Sequence, residues 1–254
     1  MNDWNDLCDH ISAMGKVAVS FSGGFDSTVL LAAAVSVCDD HVAVFADVPM
    51  LSERQRRIAA SVAEGIGANI VTVRLRWCDM PGIMNNTEER CYICKKAIYS
   101  QVSRIASENG CDVCLDGENA SDVSADRPGR RAASEFGILS PLKDLGIGRD
   151  ASRGMFRDLG LNVNVQKETC MATRFPYGSP FTEMGLKRIE ECEELIRQIS
   201  GVNQIRMRMR DGAAYLLTSP ETIRLLTENE TKIRSALLTK GVTDVTVDLK
   251  GYEG

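Results

Sequence analysis

The sequence predicts an α/β fold: a parallel sheet with helices on both faces, followed by a smaller α+β unit. Three observations predict it. Short apolar, β-rich runs alternate with helix-period segments through the first two-thirds of the chain. A serine-glycine-glycine turn joins the first run to the first helix. After about Gly160 the pattern changes to a long helix followed by strictly alternating residues around an Asp-Gly turn signal.

Taken in order, Val17–Phe21, Val42–Ala46, Ile70–Leu75 and Asp112–Leu115 read as short buried strands. Ser27–Val37, Ser52–Ile66 and Tyr92–Glu108 read as the helices between them. Such alternation makes βαβ units, whose ligands sit at the carboxyl ends of the strands. Ser22, Asp47 and Asp116 fall there. Glu183–Ile199 reads as a helix, and "QIRMRMRDGAAYLL" as a hairpin. Two helix-like stretches and a last strand near Val242–Leu249 complete the chain. The division expected is 1–168 for the nucleotide-type domain and 169–254 for the smaller one.

Length and composition bound the function. The 254 residues suffice for a sizeable core, and 44% hydrophobic with 26% charged residues is the balance of a globular protein. The net charge of −5 argues against a nucleic-acid partner, which needs a broad basic surface. No apolar run is long enough to span a membrane, and "MNDWNDLCDH" lacks the features of a signal peptide. Nine cysteines, an odd number, then point to reduced thiols, metal or catalysis rather than disulfides, and to a cytoplasmic protein.

The loop Ser22-Gly23-Gly24-Phe25-Asp26-Ser27-Thr28 carries the clearest chemistry. Glycines let backbone N–H groups approach an anion, and the helix that follows turns its positive end toward the same place. A phosphate loop of the Walker type would carry a lysine; here there is none, and an aspartate stands in the loop. A second string, "CLDGENASDVSADRPGRRAASEFGILSPL", places Asp116, Gly117, Asn119 and Asp122 just after a strand, with Arg127, Arg130 and Arg131 following.

Together these strings resemble the LarE branch of the PP-loop ATP pyrophosphatase superfamily, and the likeness continues through "ETCMATRFPYG" and "QIRMRMR". The resemblance implies the fold named for adenine nucleotide alpha hydrolases. It implies ATP on Ser22–Thr28 with Asp47, Gly117 and Asp122, and magnesium near Asp26. A carboxylate of a pyridinium-3,5-biscarboxylate mononucleotide-like substrate would attack the α-phosphate and release pyrophosphate. Sulfur would then replace AMP, on the route to a nickel-pincer nucleotide.

The cysteines offer two forms of that chemistry. One family form sacrifices the sulfur of the single cysteine matching Cys170. The other adds a C-x-x-C pair, here Cys91 and Cys94, and the three thiolates hold a 4Fe–4S cluster that carries a labile sulfide from a sulfur donor. This chain resembles the cluster form. A rival reading joins Cys91 and Cys94 to Cys111 and Cys114 as a four-cysteine zinc site. A helix of about fifteen residues would hold the pairs on the order of 22 Å apart, which disfavours it. Cys8, Cys38, Cys78 and Cys192 stand alone and read as core or incidental.

For the substrate end, Arg206, Arg208 and Arg210 alternate with Met207 and Met209 and so share a strand face suited to phosphate. Glu194, on the preceding helix, is a candidate for a polar or metal contact. Arg174, four residues after Cys170, is placed either to lower a thiolate pKa or to bind a phosphate. A homo-oligomer is expected. The competing functions are a tRNA thiolase of the same superfamily and a non-catalytic nucleotide or cluster sensor.

Overall fold

The computed structural model describes residues 3–122, 128–163, 165 and 168–250, with the side chain of Asp122 outside the description. The chain divides into two compact units. One comprises Met1–Ile83 with Glu89–Lys167, the other Met84–Glu88 with Glu168–Gly254.

The first unit begins with helix α1 (Asp3–Ser12), then β1 (Val17–Phe21), α2 (Phe25–Val37), β2 (Val42–Asp47), α3 (Glu53–Ile66) and β3 (Ile70–Arg74). It continues through α4 (Arg90–Glu108), β4 (Val113–Leu115), α5 (Pro128–Glu135), α6 (Pro141–Asp144) and α7 (Arg149–Asp158). Its four strands are parallel in the order β3-β2-β1-β4. The order reverses between β1 and β4, and at such a switch point a crevice opens beyond the strand ends. The loop after β1 and the segment after β4 both reach it.

Alternation along the strands sorts the two faces. Val17, Val19 and Phe21 pack with Leu7 and Ile11 of α1, Val29, Leu30 and Ala33 of α2, and Val62 of α3. Val44 of β2 turns the other way, against Val102 and Ile105 of α4. Because α2 lies deep in this core it is apolar on every side. By contrast α3 is a surface helix that needs explicit ends. Ser52 and Gln55 form a capping box, with Gln55 N donating to Ser52 Oγ at 3.1 Å and Ser52 N to Gln55 Oε1 at 2.9 Å. Gly67, at φ 72°, closes its other end.

The second unit holds α8 (Glu183–Ser200), β5 (Arg206–Arg210), β6 (Ala213–Leu217), α9 (Ile223–Glu228), α10 (Glu230–Thr239) and β7 (Asp244–Val247). β5 and β6 pair antiparallel, and β7 joins β6 in parallel. The hairpin turns on Asp211 and Gly212, at φ 50° and 83°, the pair of left-handed residues that a two-residue turn of this hand requires. Met84–Glu88 is drawn into this unit by backbone bonds. Gly178 N and Phe181 N donate to the carbonyls of Asn86 and Met84, and buried Asn86 returns Nδ2 to Pro176 O at 2.7 Å. Among the described residues no helix is long and apolar enough to cross a membrane.

Candidate functional site

The loop after β1 is built by close packing. Gly23, at φ 77°, lies so near α3 that a Cβ there would stand 2.7 Å from Ala59 Cα. A Cβ on Gly117 would stand 2.7 Å from Ser27 N. Both glycines therefore let the loop sit between α3 and the segment after β4. Ser22 Oγ and Ser27 Oγ share a hydrogen bond at 2.9 Å, and Ser27 Oγ also accepts from Ser22 N at 3.2 Å. Gly24 caps α2 without a side-chain bond, so the first amides of the helix are left to another acceptor.

Asp26 stands in the first turn of α2. Asn119 Nδ2 donates to its Oδ2 at 2.9 Å, whereas its Oδ1 is buried with no hydrogen-bond partner among the described residues. Asn119 is itself only 1% exposed, and its Oδ1 accepts from Ser121 N at 2.9 Å. That second bond fixes which way the amide faces. One carboxylate oxygen is thus held while the other is buried and open. Thr28 Oγ1 in the same turn is buried and unpartnered too. Hard oxygen donors in this state suit magnesium, so the residues present fit the ion that the loop's resemblance implies.

Around Asp116, at the end of β4, lies a network that the sequence reading did not find. Asp116 accepts from Tyr99 Oη and, at 2.8 Å, from Ser140 Oγ. Burial, and then the charge of Asp116, push the Tyr99 phenol well above its ordinary value. Lys95 Nζ bonds Tyr99 Oη at 2.9 Å and lies 3.9 Å from Asp116 Oδ2. Glu118 pairs with Arg130 and, at 3.4 Å, with Lys143. Arg131 pairs with Glu89 and covers the Tyr92 ring, its guanidinium carbon 3.7 Å from the centroid. Asp47 is at the end of β2 and is held by Arg56 Nε at 2.7 Å and by Arg74 at 3.5 Å. Arg127 and the Asp122 side chain lie outside the described residues.

Cys91 and Cys94 are the second and fifth residues of α4, three residues apart and so on one helix face. Cys91 is exposed and Cys94 half-buried. Through Lys95 and Tyr99, this end of α4 is tied to Asp116 at the carboxyl edge of the sheet. Cys111 and Cys114 follow the other end of this 19-residue helix. At 1.5 Å per residue, its ends are about 27 Å apart, too far for the two pairs to share one metal. Both of these later thiols are half-buried, and burial raises their pKa. Cys8, Cys38 and Cys192 are buried, and Cys78 is exposed.

Cys170 belongs to the second unit, half-buried, and precedes a 3-10 turn over Met171–Arg174. Its carbonyl accepts from Thr173 Oγ1 at 2.7 Å. Arg174 is 2% exposed and heavily engaged. Its Nε and Nη2 donate to Glu193 at 2.8 and 3.1 Å, and Nη1 donates to Thr169 O at 3.0 Å. The guanidinium thus binds the Cys170 segment to α8. Glu193 also accepts from Met207 N at 2.8 Å, which adds β5 to the same knot. Glu194, its neighbour, is turned outward and pairs with Arg197 at 3.2 Å. A signal for Glu193 existed in the sequence: it lies on the helical stripe of Leu186, Ile189 and Ile196.

On β5, Arg206 is buried and its Nη2 donates to Thr173 O at 3.2 Å, while Arg208 and Arg210 are exposed. The arginine nearest the Cys170 segment is therefore the buried one. Met207 and Met209 line a cleft of about 460 Å³ together with Phe175, Ile189, Arg188 and Arg210. Among the described residues, neither unit by itself gathers three cysteine, histidine or carboxylate side chains at metal-binding spacing. The thiolates that the resemblance implies as cluster ligands come as an exposed and a half-buried one in one unit and a half-buried single in the other. Their soft sulfur donors fit an iron–sulfur group.

No family model matches the chain. Curated relatives do. It is 32% identical over 220 residues to an uncharacterised protein of Methanocaldococcus jannaschii, covering 86% of this chain and 84% of that one. It is 31% identical over 252 residues to an uncharacterised protein of Synechocystis, covering 98% and 94%. It is also 32% identical over 240 residues to the pyridinium-3,5-bisthiocarboxylic acid mononucleotide synthase of Lactiplantibacillus plantarum, covering 93% of this chain and 87% of that enzyme. Identity at this level over nearly the full length of both chains, on a parallel α/β sheet with a glycine-rich loop at its switch point, places the chain in the LarE family.

Proposed function

We propose that this protein is a sulfur transferase that converts a carboxylate of a pyridinium mononucleotide into a thiocarboxylate, at the expense of ATP. The named activity of the Lactiplantibacillus plantarum relative supports the coarser part, sulfur transfer in making a pyridinium thiocarboxylate nucleotide. The observation that carries the ATP-dependent part is Asp26, with Oδ2 held by Asn119 and Oδ1 buried and open, in a glycine loop at the sheet's switch point.

In this reading the loop amides and the start of α2 bind the phosphates. Asp26 Oδ1 would hold magnesium, which when bound would screen phosphate charge. Asn119 keeps Asp26 from rotating away. The substrate carboxylate attacks the α-phosphate, and the acyl-adenylate gains a leaving group that a bare carboxylate lacks. A sulfur nucleophile then displaces AMP. Arg206 and Arg208 anchor the substrate phosphate, and the Arg174–Glu193 knot holds the Cys170 segment against β5. Cys91, Cys94 and Cys170 would, as the resemblance implies, hold a 4Fe–4S cluster, which would supply a labile sulfide.

The test is anaerobic purification with iron and sulfide analysis, then pyrophosphate release measured with and without the pyridinium carboxylate nucleotide. The expected protein is brown and releases pyrophosphate only with that substrate. Serine at Cys91, Cys94 or Cys170 should abolish the cluster, and serine at Cys111 or Cys114 should leave it. Colourless protein in which Cys170 loses the mass of one sulfur and two hydrogens in one turnover, its sulfur passing to the substrate as thiocarboxylate and dehydroalanine remaining, would instead establish the sacrificial form. Absence of substrate-dependent pyrophosphate release would refute the enzymatic reading.

A further inference from the structure

A phosphate loop without a lysine leaves a question of charge. When the α–β anhydride bond breaks, its electron pair departs with pyrophosphate, and negative charge builds on that group. The charged residue of this loop, Asp26, is itself an anion. The cation must come from another element.

Helix α7 supplies candidates. Arg149, Arg153 and Arg157 recur at four-residue intervals, which places them along one face at steps of about 6 Å. Ser152, Met155 and Phe156 are buried. Phe156 meets Phe25, the first residue of α2, edge-on with ring centroids 4.9 Å apart. The Arg153 guanidinium lies 5.7 Å from the centroid of that same Phe25 ring. A second tie fixes the start of α7. Arg149 N donates to Ser121 Oγ at 2.9 Å, Ser121 N to Asn119 Oδ1, and Asn119 Nδ2 to Asp26 Oδ2. The helix is thereby held against the loop at two points. Among the described residues neither Arg153 nor Arg157 has an ion-pair partner, whereas Arg56, Arg130, Arg131 and Arg174 all do.

We infer that Arg153 is the counter-charge for the departing pyrophosphate, binding its oxygens beside Phe25 in place of the missing loop lysine. This rests on the adenylation reading above. In that step the substrate carboxylate oxygen bonds to the α-phosphorus, the bridging oxygen leaves with the electron pair, and no proton or redox partner is needed. A guanidinium carries its charge at any working pH and presents several donors to phosphate oxygens.

Pyrophosphate with magnesium, and separately AMP, are titrated calorimetrically into the wild type, Arg153→Gln, Arg153→Lys and Arg157→Gln, with melting temperatures alongside. Arg153→Gln should weaken pyrophosphate binding about tenfold or more, the loss of a charge-assisted hydrogen bond, while AMP binding stays within about twofold. Arg153→Lys should recover part of the affinity. Arg157→Gln, one turn further along the helix, should change it by no more than about twofold. Pyrophosphate affinity in Arg153→Gln equal to that of the wild type overturns the inference, and a fall in melting temperature alone marks Arg153 as packing on Phe25. Equal weakening by Arg157→Gln overturns it too, since a diffuse field would then suffice. Wild-type protein that binds neither AMP nor pyrophosphate overturns both this inference and the adenylation reading; the other results overturn this inference alone.

Discussion

Replacing Asn119 with alanine isolates the contact on which the proposed nucleotide site turns. Two hydrogen bonds of 2.9 Å vanish together, one to Asp26 Oδ2 and one from Ser121 N. The first is charge-assisted, and bonds to a charged group contribute about 1.5–3 kcal/mol. Since Asn119 is 1% exposed, little water stands ready to replace its amide. The fold should lose about 1–3 kcal/mol, read as a shift of the urea midpoint at constant slope. The functional effect should be separable. Asp26 freed from Asn119 gains rotational freedom, and loss of an outer partner of a metal ligand weakens metal affinity about 10–100-fold. The assay is pyrophosphate release against magnesium concentration at saturating ATP, with manganese binding to the protein–nucleotide complex as an independent readout. The half-saturating magnesium should rise by that factor. Unchanged magnesium dependence in a folded Asn119→Ala protein would refute the reasoning, because Asp26 would then need no external orientation.

Three further outcomes are expected. Gly117→Ala puts a methyl group 2.7 Å from Ser27 N, so the loop must shift. ATP affinity should fall while the melting temperature drops by an amount matching overpacking of about 1–3 kcal/mol. Arg174→Ala leaves the nearly fully buried Glu193 carboxylate with only Arg197, at 3.7 Å, and Met207 N, and should destabilise the second unit by about 3 kcal/mol in chemical denaturation, more than Glu194→Ala, whose carboxylate is half-exposed. Tyr99 has a pKa raised above the ordinary 10.0 by burial and Asp116, so the folded state retains this proton longer than the unfolded chain. Its contribution is therefore full below pH 10.0 and lost as pH rises beyond that value. The wild type should lose stability above this pH more steeply than Tyr99→Phe, and parallel curves would remove Tyr99 from the alkaline response.

Local pattern alone determined much of this protein. The β1–loop–α2 corner was legible because an apolar run, two glycines and a helix-forming stretch are all near neighbours. The same holds for the Asp211-Gly212 hairpin, where two adjacent residues at positive φ set the turn. The C-x-x-C pair was visible, but its helix was expected from Tyr92; it begins at Arg90, which puts Cys91 on the same helix as Cys94. The string containing Asn119 was visible, but not the use made of it, since Asn119 meets Asp26 across 93 positions. Nor could spacing show that Met84–Glu88 belongs with the second unit, a fact decided by backbone bonds from Gly178 and Phe181. Tertiary structure also chose Glu193 over Glu194 for burial, because only the inward carboxylate reaches both Arg174 and Met207 N. It likewise brought Arg153 to the Phe25 ring. Residue type and short-range periodicity set which chemistry a chain can carry, because they act through neighbouring dihedrals and faces. Which charge meets which is settled by packing, where burying an ion without its partner costs several kcal/mol and so selects one arrangement.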